Sequence, residues 1–178
     1  MKRGFEIVSS KKNDGLKLPQ RQTKNAAGYD LAASEDFTLP SIWKGPFLKT
    51  LWALRHHQDL SDDDYQEADK ALKPYLVPTG IKVYMQPDEF VLLANRSSAP
   101  LKRRLILPNG VGIIDADYYN NSANEGELFV QLINYGLRDY TIKKGERIGQ
   151  AIFMPYLTAD NETAPKAERT GGFGSTKK

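Results

Sequence analysis

Gly80-Ile81-Lys82-Val83-Tyr84-Met85 and Glu89-Phe90-Val91-Leu92-Leu93, separated by the turn signal Pro87-Asp88, decide the fold. Both runs are short and rich in β-branched and aromatic residues, which favour strands. The same composition recurs in Glu6-Ile7-Val8, in Glu127-Leu128-Phe129-Val130-Gln131-Leu132-Ile133 and in Ala151-Ile152-Phe153-Met154. Further turn signals stand at Pro108-Asn109-Gly110, Asn134-Tyr135-Gly136 and Lys144-Gly145. Many short strands with turns at such spacing point to an all-β antiparallel barrel or jelly roll.

Residues 41–76 break the pattern and read as two short helices inserted between strands. Phe47, Leu48, Leu51, Trp52 and Arg55 recur at a helical spacing and form one stripe. Ser61 is a natural N-cap, and Asp62, Asp63 and Asp64 fall where the helix dipole favours negative charge. Tyr65, Ala68 and Leu72 then share a face, Lys70 and Lys73 lie near the end, and Pro74 stops the helix. The expectation is that Trp43, Phe47, Leu51 and Trp52 are buried on the barrel, or that they form a partner-binding surface. The predicted division is a β-barrel domain over 1–157, with this insert, and a flexible polar tail over 158–178.

The 178 residues suit one domain with one core, and the apolar and charged fractions, 40% and 26%, are ordinary for a globular chain. No apolar run is long enough to span a membrane, and no apolar stretch follows Met1-Lys2-Arg3 as in a signal peptide; a cytoplasmic location is expected. The absence of cysteine excludes disulfides and thiolate metal sites. A net charge of +3 is too small to argue for direct nucleic-acid binding.

Several segments carry groups suited to chemistry. Arg169-Thr170-Gly171-Gly172-Phe173-Gly174-Ser175-Thr176 joins glycines, which let backbone N–H groups approach phosphate, to two hydroxyls, a cation and an aromatic ring. On its own it reads equally as a Gly-rich tail. In Gly110-Val111-Gly112-Ile113-Ile114-Asp115-Ala116-Asp117-Tyr118, the two carboxylates would share one face of a strand, and one of them could serve as a general base. The alternative is a strand that ends in solvated acids. Arg96-Ser97-Ser98, Gly145-Glu146-Arg147-Ile148-Gly149-Gln150 and Ala27-Gly28-Tyr29-Asp30-Leu31 each place polar groups beside an apolar strand, and singly each reads as structural.

Taken in chain order, these five segments resemble the ordered motifs of the homotrimeric dUTPase family, over about residues 23–176. Val77-Pro78-Thr79-Gly80 is also similar to that family's sequence, and the helical insert resembles those of some phage and Gram-positive bacterial members. The resemblance implies a distorted jelly-roll barrel, a homotrimer with active sites shared between chains, and Mg²⁺-dependent hydrolysis of dUTP to dUMP and pyrophosphate. That reaction limits uracil incorporation into DNA and supplies dUMP for dTMP synthesis. Asp115 would activate the water that attacks the α-phosphorus, and Gln150, Arg96, Ser97 and Ser98 would bind that water or phosphate oxygens. Asn109 and the turn through Gly112 would recognise uracil, Ile113, Ile114 and Phe129 would also bind the substrate, and Tyr118 would pack on the deoxyribose. From the tail, Arg169, Gly174, Ser175 and Thr176 would hold the outer phosphates while Phe173 covers the base. Asp30 would contact Mg²⁺ through water.

Three departures from the family stand out: the insert at 41–75, the longer turn from Tyr119 to Glu127, and the sequence Ala99-Pro100-Leu101-Lys102-Arg103-Arg104. Two alternatives remain at this point. One is dCTP deaminase, which shares the fold but typically uses a glutamate and lacks the Gly-Gly-Phe-Gly tail. The other is a dUTP-responsive regulatory protein that binds a repressor or other partner through the insert.

Overall fold

The computed structural model describes residues 2–163. The expected strands form, in the order β1 (Gly4–Ile7), β2 (Tyr29–Ala32), β3 (Phe37–Leu39), β4 (Tyr75–Pro78), β5 (Ile81–Tyr84), β6 (Glu89–Ala94), β7 (Leu105–Ile106), β8 (Val111–Asp115), β9 (Phe129–Asn134), β10 (Tyr140–Ile142) and β11 (Arg147–Pro155). Two helices, α1 (Gly45–Arg55) and α2 (Asp62–Leu72), interrupt them between β3 and β4. The chain is thus mostly β with a small helical insert.

All pairings between these strands are antiparallel. The largest sheet has the order β2-β11-β6-β8, a second has the order β4-β9-β7, and β1-β5 and β10-β3 are ribbons. The two runs flanking Pro87-Asp88 therefore part company: β5 bonds to β1, while β6 is held between β11 and β8. Alternation along β9 buries Val130, Leu132 and Asn134, as expected for a strand with one face on the core. These residues join Leu31, Leu39, Val77, Val91, Leu93 and Ile148 in the apolar centre. Buried Asn134 is fully used: its amide donates to the carbonyls of Leu39 and Arg138 and accepts from Gly136 N–H. Leaving such groups unpaired costs roughly 1–3 kcal/mol each.

The insert forms the two predicted helices but packs differently from the expected burial on the barrel. Ser61 and Asp64 cap α2 reciprocally, each side chain bonding the other's backbone N–H. The helices meet through small residues, with Thr50 and Ala53 of α1 and Ala68 of α2 buried. Most of the stripe read from the sequence faces outward instead: Leu48 is 45% exposed, Leu51 40% and Trp52 55%, while Phe47 is half-buried against Trp43. Small side chains let two helices approach closely, and in this pair they make the contact between α1 and α2. Trp43 is the part of that expectation that reaches the β-structure, its indole N–H donating to Tyr135 O at 2.8 Å. Beside it, Ser41 and Lys44 both bind Asp139.

Lys82 breaks the alternation of β5 because it is buried with its charge answered. Its ammonium lies 2.6 Å from Glu125 and 2.7 Å from Asn120 Oδ1. Glu125 also accepts from the backbone and hydroxyl of Ser9. The hydrogen bond from Lys82, followed by those from Ser9, lowers the Glu125 carboxyl from 4.5 to about 2. A carboxyl depressed in the folded state adds stability above its unfolded value and loses it as pH falls through the folded one. Denaturation midpoints measured between pH 4.5 and 2 should therefore fall with acid, and the slope should be shallower in Glu125→Gln.

Candidate functional site

Two groups of side chains stand at different places on the large sheet. The first lies where β2, β11 and the end of β6 meet. Asp30 pairs in register with Gln150 across β2 and β11, and Gln150 pairs with Ala94 across β11 and β6. Arg96, just past β6, places Nε 2.9 Å from Asp30 Oδ1, and Arg147 places Nη1 3.1 Å from Asp30 Oδ2. Gln150 donates to Asn95 O at 3.0 Å. Its side chain lies flat against Gly28, where a Cβ would come within 2.3 Å of Gln150 Oε1. A Cβ at position 28 would therefore push the end of the Gln150 side chain aside.

The π-helical turn Ala99–Arg103 brings a further arginine to this edge. Arg103 is paired with Glu146 at 2.6 Å and donates to Ser98 Oγ at 3.4 Å and to Arg147 O at 3.1 Å. Ser97 is exposed beside it. Arg103 and Arg147 were given no role from the sequence alone. The clue lay in the run of basic residues at 102–104 and in the Glu146-Arg147 pair, but their meeting depends on tertiary contacts.

The second group lines a pocket of about 220 Å³. Asn109, Gly112, Ile113, Ile114, Tyr118 and Phe129, all candidates from the sequence, form its wall. Gly112 faces Leu93, where a Cβ would stand 3.3 Å from the leucine's own Cβ, so β8 lies close on β6. Gln131 also borders the pocket and was not anticipated; it follows Phe129 by two residues on β9 and so shares its face.

Asp115 opens instead on an adjoining cavity of about 790 Å³, which it lines with Phe90, Ile113, Asp117 and Tyr156. Asp117 does not continue the strand as expected. β8 ends at Asp115, and Ala116–Tyr118 is a 3-10 turn, although both carboxylates still border this cavity. Within one chain Asp115 and Gln150 are kept apart. Asp115 pairs with Phe90, while Gln150 pairs with Ala94, four residues further along β6 and across its other edge. At about 3.3 Å per residue, that is roughly 13 Å along the strand alone. Arg169, Phe173, Gly174, Ser175 and Thr176 lie outside the described residues.

Among the described residues, no group of three or more His, Cys, Asp or Glu side chains could hold a metal. Asp30 is the carboxylate at the cationic edge, and each of its oxygens already faces an arginine. The residues fit an ion that arrives on a phosphate chain and keeps its waters, as Mg²⁺ does, rather than one caged by protein.

A small, mainly apolar pocket set apart from a cationic edge is the division of labour of a nucleotide-handling enzyme. The comparisons with known proteins agree. The dUTPase family model matches residues 59–177. A deoxyuridine 5'-triphosphate nucleotidohydrolase of Lactococcus lactis subsp. lactis is 42% identical over 175 residues, covering 98% of this chain and 97% of that protein. A crystal structure of dUTPase from Streptococcus mutans is similar at a TM-score of 0.69 and 36% identity, covering 89% of this chain and 99% of that one. The dUTPase from phage phi11 of S. aureus shares the fold at a TM-score of 0.62 and 18% identity, over 94% and 99% of the two chains, and carries an insert described as species-specific. A mutant of the same phage enzyme is described with a structural Mg(II) ion.

The chain belongs to the dUTPase family. Its reaction is the hydrolysis of dUTP. Gly28→Ala should displace the Gln150 side chain while leaving the fold intact. Steady-state kinetics should show kcat/KM for dUTP falling by up to about 10²-fold, the cost of an ångström-scale misplacement at a reacting centre, with an unchanged circular dichroism spectrum.

Proposed function

We propose that the hydrolysis proceeds by attack of water on the α-phosphorus, with Asp115 as the general base, and that pyrophosphate leaves as the bond to the bridging oxygen breaks. The reading is carried by one observation: Asn109, Gly112, Ile113, Ile114, Tyr118 and Phe129 border a single pocket. In this reading the pocket takes uracil and the deoxyribose. Gly112, held against Leu93, lets the backbone of β8 face the base closely. A slot of this kind rejects thymine's methyl by sterics, a stronger device than the roughly 1–3 kcal/mol that one methylene gains in an apolar pocket. Tyr118 closes the sugar side against a 2′-hydroxyl.

Arg96, Ser97, Ser98 and Gln150 serve the phosphates or the attacking water. Arg169, Gly174, Ser175 and Thr176 hold the outer phosphates, and Phe173 covers the base. Asp30 contacts the metal through water. When bound, Mg²⁺ neutralises charge on the departing pyrophosphate. The separation of Asp115 from Gln150 along β6 supports a site completed by another copy of the chain, in a homotrimer whose tails act as lids.

Pyrophosphate release from dUTP with Mg²⁺, measured beside dCTP, dTTP and UTP, tests this reading. Asp115→Asn should slow release by about 10²–10⁴-fold, the usual contribution of a general base. Release that survives this substitution would show that the carboxylate has another role.

A second reading adds regulation through the insert. It is favoured by the outward apolar face of α1 and α2, which carries Leu48, Leu51, Trp52, Tyr65 and Leu72, and by the species-specific insert of the phi11 relative. Turnover separates a pure sensor from an enzyme, because a sensor binds dUTP without releasing pyrophosphate.

A further inference from the structure

The turn from Tyr119 to Glu127, longer than in minimal dUTPases, is wired to Tyr118 at both ends of the residue. The phenol donates to Glu127 O at 2.9 Å and accepts from Asn124 Nδ2 at 2.7 Å. The Tyr118 carbonyl accepts from Asn121 Nδ2 at 2.9 Å. Asn121 in turn donates to Asn124 Oδ1 at 2.8 Å, and its own Oδ1 accepts from the backbone N–H groups of Ala123 and Asn124. Asn124 Oδ1 also accepts from Gly126 N–H. Gly126 has a positive φ and lies so near Tyr118 O that a Cβ there would come within 2.7 Å of it.

The turn is itself fastened to the body of the protein. Buried Lys82 binds Asn120 and Glu125, and Glu125 binds Ser9. Glu127, whose carbonyl accepts from the phenol, stands two residues before Phe129, which lines the same pocket as Tyr118. The bond from Tyr118 to Glu127 therefore ties together the two segments that bring these rings to the pocket. A tyrosine hydroxyl offers one donor and two acceptor positions. Here the donor and one acceptor are already engaged within the chain, so the ring can shift only by breaking those bonds.

We propose that Asn124 is a positioning residue for Tyr118 and that, through it, the 119–127 turn sets this enzyme's preference for deoxyribose over ribose. The proposal rests on the reading of Tyr118 as the residue packed on the sugar. A ring held by its hydroxyl and its carbonyl cannot retreat to admit a 2′-hydroxyl. A ring freed of Asn124 can move aside and admit one.

The test is the ratio of kcat/KM for dUTP to that for UTP, measured with Mg²⁺ on the full chain. Asn124→Asp keeps the acceptor oxygen used by Asn121 and Gly126 but puts a carboxylate oxygen where the N–H held the phenol, so the phenol's single proton can serve either that oxygen or Glu127 O and one of its two bonds is lost. It should lower the ratio about tenfold, the order of one lost neutral hydrogen bond, chiefly through a raised KM for dUTP and a lowered KM for UTP. Tyr118→Phe removes both of the phenol's bonds and should lower the ratio at least as far. The double variant should then be no worse than Tyr118→Phe alone.

A merely structural role would instead lower thermal stability and scale both activities together, and an unchanged ratio in Asn124→Asp overturns the proposal. If Asn124→Asp does not fold, an unchanged ratio in Tyr118→Phe overturns it equally. Tyr118→Ala separates the two levels of the argument. If it leaves the ratio intact, the sugar-packing reading of Tyr118 has failed. If it collapses the ratio while Asn124→Asp and Tyr118→Phe do not, that reading stands and the brace has failed.

Discussion

Strand β6 is hydrogen-bonded along both edges, and this satisfaction of its backbone sets the position of everything chemical in the described chain. A central strand cannot slip by one residue without turning its buried side chains to the other face. With Val91 and Leu93 inward, the register against β11 and β8 is fixed. One end of β6 then delivers Arg96, Ser97 and Ser98 beside Asp30 and Gln150. The other end, through its pairing with β8, delivers Asp115. The smaller pocket lies at β8 near Gly112, where the absence of a side chain lets that strand lie close on Leu93.

How much of this was legible in the sequence depends on whether the determinant was local. The strands were legible, because β-branched and aromatic runs between turn residues carry their own preference. So was α2, whose capping box needs only Ser61 and Asp64. Part of the pocket wall, Asn109, Gly112, Ile113, Ile114, Tyr118 and Phe129, was named from the resemblance of ordered motifs, while Leu93 and Gln131, which come to it from β6 and β9, were not. What could not be read depended on distant partners. The outward turn of the α1 stripe follows from Thr50 and Ala53 meeting Ala68, which a single-helix pattern does not contain. The end of β8 at Asp115 follows from the 3-10 turn that Tyr118 makes toward Glu127. The brace of Asn121 and Asn124 looked like a polar loop, because its meaning lies in where Tyr118 stands.

The insert illustrates a different balance. Its two helices are short, and helices of such length gain most of their stability from packing rather than from propensity. Their mutual contact is made by small residues that bury little area. The hydrogen bonds of Ser41 and Trp43 and the pairing of Lys44 with Asp139 fasten only its N-terminal root. An element so attached leaves the register of the sheets undisturbed, since β3 and β4 are held by β10 and β9 on their own terms. This explains how a barrel can accept a long insertion between those strands without rearranging its pocket.

The cationic edge also limits what one chain can do alone. Asp30 sets one negative charge against Arg96 and Arg147, and Glu146 offsets Arg103, so these three ion pairings leave a single net positive charge. A triphosphate carries more negative charge than that, and charge drawn into a partly dry site must be compensated. On the proposed mechanism the remainder comes from a metal carried by the nucleotide and from Arg169 on the tail. The edge then orients the phosphates rather than neutralising them, and full compensation is reached only when nucleotide, metal and tail are together. On that mechanism catalysis is tied to closure: water would be activated at Asp115 once the charge on the leaving group has been matched, and a nucleotide that fits the base pocket poorly would not hold its phosphates there long enough for that to happen.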